Sequence, residues 1–254
     1  PTPVASVGLL PFSDLLLLGL PFTLQEFAMI RSLKFWLLVC LAAMASAAPT
    51  PAADLTLKVE DKSPPMELAS DIRSVLQGKS IRLVEGDKTV YEFWLRSELP
   101  LSAAPENSSK SLDAVKQAAL IGAVRLGSDL RDYRDDEMAA GLYTIRFGLQ
   151  PNDGNHLGTA EFSYFAVLIP SKYDAKLEGI ADYKAMVKAS SKDTSTEHPL
   201  ILSLRPVADA KGTFPSLTEP APSHKCVRVR VPGKSGDAKS EVVFDLVFEG
   251  KAKE

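Results

Sequence analysis

Cysteine and histidine are scarce in this sequence: two Cys and three His among 254 residues. Cys40 lies in a segment expected to be removed, which leaves Cys226 alone. No intrachain disulfide is then available, and the core must hold the fold by itself. The histidines, His156, His198 and His224, are far apart, and no tight Cys/His ligand spacing or H-E-x-x-H helix occurs. His224 and Cys226 would share a strand face, but no His or Met follows Cys226, which excludes a blue-copper ligand set. A G-x-S-x-G nucleophile elbow is also missing. Gly78-Lys79-Ser80 and Gly233-Lys234-Ser235 echo the end of a phosphate-binding loop, yet Arg73 and Arg228 stand where its first glycine belongs. No cofactor is expected.

Charge of one sign is lacking too. The formal net charge is −3, and no concentrated basic face is visible. Nucleic acid is therefore not the expected partner. Long apolar runs are absent as well: Leu15–Leu20 is far short of the ~20 residues a spanning helix needs.

What is present begins with a targeting signal. Arg31 and Lys34 precede the uncharged run Phe35–Ala43, and Ala45-Ser46-Ala47 supplies small side chains for signal peptidase. Residues 29–47 read as a secretory signal peptide, and 1–28, opening on Pro1, as a spurious upstream extension. Lipidation at Cys40 is disfavoured, because Val39 is not small and the cysteine lies within the apolar run. The expected product is periplasmic or secreted, without a stable membrane anchor. Residues 48–53 form a Pro/Ala linker, and 54–254 a single domain.

Period-two alternation predicts strands over 54–60, 141–150 and 241–248, a near-continuous apolar run after Ser163 predicts a central strand over 159–169, and further strands are expected over 80–84, 89–96, 119–126, 199–204 and 225–231. Helical spacing predicts short helices over 67–77 and 175–189. Strands in succession with few helices point to a mainly β chain: one antiparallel β-sandwich of about eight or nine strands with two short helices. The charged run Asp129–Glu137 reads as a solvated turn. Asn107-Ser108-Ser109 matches a glycosylation sequon within a polar loop.

Ala140-Gly141-Leu142-Tyr143-Thr144-Ile145 resembles the strand entry of transthyretin-like and carboxypeptidase-regulatory-like β-sandwich modules. A longer set resembles a family of uncharacterised secreted bacterial β-rich proteins: Arg131–Arg134, Tyr143–Pro151, Asp153–Gly158 and His198-Pro199. That resemblance implies export and one β-rich domain, and it carries no known activity or catalytic residue.

Two functions follow as expectations. The first is a non-enzymatic exported protein with a binding or structural role in the cell envelope, its partner a protein or a carbohydrate. The alternative is a metal-binding module or metal-dependent hydrolase using His156 and His198, with Asp153 as a further ligand. The Arg131–Arg134 run and the Asp153–His156 loop should lie about a strand length apart, roughly 30 Å, and so form separate turns.

Overall fold

The computed structural model describes residues 54–250 except 151–160, 181, 195, 196 and 223. The signal peptide, the linker, Asp153 and His156 all lie outside the described residues.

The chain is mainly β. In order run β1 (Leu55–Asp61), helix α1 (Ser70–Ser74), β2 (Lys79–Glu85), β3 (Lys88–Leu95), β4 (Leu99–Pro100), β5 (Leu120–Leu126), β6 (Leu130–Arg131), β7 (Glu137–Met138) and β8 (Gly141–Leu149). Then come β9 (Tyr164–Pro170), helix α2 (Tyr183–Ser190), β10 (Leu200–Pro206), β11 (Ser216–Ala221), β12 (His224–Ser235) and β13 (Ala238–Glu249).

These strands do not divide into two hydrogen-bonded sheets. One path runs β1-β2-β3-β5-β8-β9-β10-β13-β12-β11, antiparallel at every step. β4 adds a short parallel pairing to β12, and β6 and β7 form a separate ribbon. The two ends of the path, β1 and β11, approach within 8 Å between Cα atoms without exchanging ladder bonds. The result is a nearly closed barrel-like sheet rather than the expected sandwich of eight or nine strands. β10 makes the difference, because it pairs β9 on one side and β13 on the other and so joins what would have been two sheets.

Alternation along each strand sends one set of side chains inward. Leu83, Phe93, Ile145, Leu202, Val229 and Phe244 come from six different strands and share one buried cluster. Tyr91 stacks on Phe93 at 5.6 Å and donates its hydroxyl to the Phe248 carbonyl (3.0 Å). Leu99, Leu101 and Leu112 join the same cluster from the segment after β3.

The outer face is covered by the helices. Leu68, Ile72 and Leu76, in and around α1, pack on Trp94, Leu120 and Ala123. Met186 and Ala189 of α2 pack on Val167, Ile169 and Ile201. Both helices are shorter than their apolar spacing predicts. α1 gives way because the Gln77 amide donates to the Leu95 carbonyl, drawing the chain onto β3. α2 begins at Tyr183, with Asp182 as its cap accepting the Ala185 N–H (2.8 Å). The carbonyls of Lys176 and Leu177 instead accept from the Arg146 guanidinium at 3.0 Å each, so that stretch is not free to be helical.

The β2–β3 turn forms where expected, with Gly86 at φ 58°. β11 is a strand that periodicity did not predict. Pro220 lies within it and Pro215 just before it, as suits a strand at the edge of a sheet. Gly233-Lys234-Ser235 is the end of β12 leading into its hairpin with β13, and Gly78 precedes β2.

Candidate functional site

The charged run 129–137 is a turn exposed at Asp129, Arg131, Arg134, Asp135 and Glu137, as its charge suggests, but Asp132 and Tyr133 within it are buried. Asp132 Oδ1 accepts the backbone N–H groups of Arg134 (2.8 Å) and Asp136 (2.9 Å), and Oδ2 accepts that of Ile201 (2.9 Å). The Tyr133 N–H returns to the Ile201 carbonyl (3.0 Å). A single carboxylate thus shapes the β6–β7 turn and fastens it to the start of β10. Burial pushes this carboxyl up to about 6, with a smaller upward push from Asp136, although its three N–H donors favour the ionised form.

Tyr133 also reaches β12. Its hydroxyl lies 3.3 Å from His224 Nε2, and His224 Nδ1 lies 3.1 Å from the Pro222 carbonyl. A carbonyl only accepts, so Nδ1 carries a proton; in the neutral imidazole Nε2 is then the acceptor and Tyr133 donates. Both ring nitrogens are then occupied within the chain, and the pair works as a tie between turn and strand. Cys226, two residues along, is fully buried, and burial pushes its thiol up to about 12, far from a reactive thiolate.

The metal candidates are not brought together among the described residues. His198 is exposed. No three His, Cys, Asp or Glu side chains of the described residues converge on a point that could hold an ion. Asp153 and His156 lie outside the described residues. Trp94, the residue best suited to stack on a sugar ring, is 0 % exposed and donates its indole N–H to the Lys62 carbonyl (3.0 Å). Asn107 of the sequon accepts the Lys110 N–H (3.2 Å) and so caps the short 3-10 turn Ser108–Lys110.

Three pairs tie other charged groups on the outer face of the sheet. Arg228 grips Asp245 through Nε and Nη2 at 2.7 and 2.9 Å. Lys62 sits 2.8 Å from both oxygens of the buried Glu92. Arg146 and Asp174 form a bidentate pair that sequence reasoning did not find, since nothing in the spacing links residues 28 apart.

An open feature lies at the seam between the two sheet edges. A cleft of about 230 Å³ is lined by Val59 of β1, Lys79 and Ile81 of β2, Leu95 of β3, Gln77, Phe214, Pro215, and Val229 and Arg230 of β12. No residue of β11 lines it; that wall comes from Phe214 and Pro215, which lead into β11. Pro215 has no N–H to offer a neighbouring strand, and the Phe214–Pro215 bond is cis. Val59 is half exposed. The Arg230 guanidinium lies 4.2 Å above the Phe214 ring, and Nη2 donates to the Ala210 carbonyl. Gln77 Nε2 donates to the Arg96 carbonyl (3.2 Å), which fixes one wall. The two charged residues of the lining, Lys79 and Arg230, are both cationic. Chemically the cleft offers apolar contact and positive charge, with no group placed as nucleophile or base. Of its residues only Lys79 belongs to a motif, the phosphate-loop echo Gly78-Lys79-Ser80, which does not point to a cleft; the signal available was the pair of prolines, Pro215 and Pro222, flanking a short polar strand, which marks a sheet edge.

No family model, curated protein or solved structure matches the chain, so the reading of its function rests on the geometry described above.

Proposed function

We propose that the chain is exported with loss of residues 29–47, and that its β domain is a non-enzymatic binding protein of the cell envelope which makes its contact at the seam cleft. The observation that carries this reading is the cleft itself. It is a lined recess, part apolar and part cationic, at the point where the barrel-like sheet fails to close. Among the described residues, Asp132 is tied to three backbone N–H groups, His224 is engaged at both nitrogens and Asp245 is paired with Arg228. A packed interior leaves binding to surface recesses.

Methyl NMR of protein labelled at Ile, Leu and Val tests the contact. The probes are a panel of short peptides, fatty acids and cell-wall oligosaccharides. Shifts confined to Val59, Ile81, Leu95 and Val229 are the expected outcome, and a panel without any such member removes the cleft as the binding site. Export is tested separately by mass spectrometry of the secreted product, which should begin at Ala48.

A further inference from the structure

We infer that the seam cleft takes the carboxyl-terminal end of a peptide chain, with the last side chain apolar. This rests on the reading of the cleft as the binding site and names its ligand. The floor and walls are Val59, Ile81, Leu95, Phe214, Pro215 and Val229, which together present aliphatic and aromatic surface. Lys79 and Arg230 add positive charge at that surface, and no carboxylate belongs to the lining. An apolar group joined to a single carboxylate complements both features.

Size narrows the choice further. At about 230 Å³ the recess falls below the ~300–1,000 Å³ of typical small-molecule sites, so it holds one large side chain with its carboxylate rather than a long acyl tail or a sugar chain. Where β1 and β11 approach each other, spacing refuses an added strand. β1 and β11 come within 8 Å, and an inserted strand needs two ladder spacings of about 4.8 Å. A chain end enters such a recess where a continuous strand does not.

The cations are available to such a ligand. Lys79 stands 3.8 Å from Asp61 and Arg230 3.5 Å from Glu241, and both are exposed or partly exposed pairs. Pairs of this kind are weak and exchange readily. Arg230 is also held in place by the Phe214 ring and the Ala210 carbonyl, which limits the side-chain freedom lost on binding.

The test compares acetylated Ala-Ala-Ala-Phe as free acid and as C-terminal amide, titrated into the purified, methyl-labelled protein. The free acid should shift the methyls of Ile81, Leu95 and Val229, with the amide at least about tenfold weaker. Lys79→Met and Arg230→Met should each erode that preference, while folding is checked by the spectrum of the remaining methyls. Equal binding of acid and amide overturns the chain-end assignment and leaves the cleft as the binding site. Shifts of the same methyls by a fatty acid or an oligosaccharide, with neither peptide active, do the same. Silence of the cleft methyls towards every probe removes both readings.

Discussion

Arg146 and Asp174 face each other as a bidentate ion pair, Nε to Oδ2 at 2.7 Å and Nη2 to Oδ1 at 2.8 Å, with each side chain 1 % exposed. The remaining donors of the guanidinium go to the carbonyls of Ala118, Lys176 and Leu177, and Thr144 Oγ1 donates to Asp174 Oδ2 (2.6 Å). One arginine on β8 therefore organises the chain that crosses its outer face between β9 and α2.

Removal of one partner leaves the other charge buried and unpaired. Asp174→Leu or Arg146→Met should each cost about 3–5 kcal/mol. The double substitution should cost less than the sum of the two, because it strands no charge. Urea denaturation of the three variants checks this, and strict additivity would show that the pair is not coupled.

Asp132 predicts a pH dependence with a definite sign. Its carboxyl is held at about 6 in the folded chain against an ordinary value of 3.8, so the folded state binds this proton more tightly than the unfolded one. Stability from this group is then greatest below pH ~4 and falls as pH rises through about 6, by an amount on the order of 1–3 kcal/mol. Asp132→Asn abolishes the titration. The stability difference between wild type and this variant, followed by denaturation from pH 4 to 7, should decline for the wild type across that window; a flat difference refutes the assignment.

Gly122 is packed against backbone. A Cβ there would lie 2.6 Å from the Trp94 carbonyl oxygen, at a point where β5 shifts register against β8. Gly122→Ala should destabilise by about 1–3 kcal/mol, whereas Gly78→Ala, with nothing within 4 Å of the added carbon, should change stability by less than about 1 kcal/mol. Thermal melts of the two variants distinguish close approach from a general cost of losing glycine.

Cys226 should be unreactive while the domain is folded. It is buried, and its thiol is pushed up to about 12, so almost no thiolate exists at neutral pH. Labelling with a chromogenic disulfide reagent should be slow in buffer and rapid in denaturant. Fast labelling of the native protein would show that the β12 end opens readily.

Much of the strand pattern was legible because alternation is a local property. β1, β8 and β13 lie where the period-two runs lie, and β2, β3 and β5 lie at further expected strands. β11 was missed because Pro220 interrupts its pattern, and the charged turn was legible except at Asp132 and Tyr133, which are buried by β10 and β12, neighbours remote in sequence. The helices were overextended for a related reason: apolar spacing around Leu177 is helical, but the Arg146 guanidinium claims that segment's carbonyls. The seam cleft was not legible at all, since its lining comes from four strands and the segment before β11.

By itself the sequence determined that this is a mainly β chain with a single cysteine, Cys226, after residue 47, lacking the spaced motifs of metal, phosphate and nucleophile chemistry. Composition and short-range periodicity suffice for those statements. Only the tertiary structure decided that the strands form one nearly closed sheet, that Trp94 is sealed beneath α1, and that a part-cationic recess opens between β1–β3, β12 and the segment before β11. The physical reason is that alternation tells which face of a strand is buried, while the choice of neighbour across the ladder depends on contacts between residues far apart in the chain.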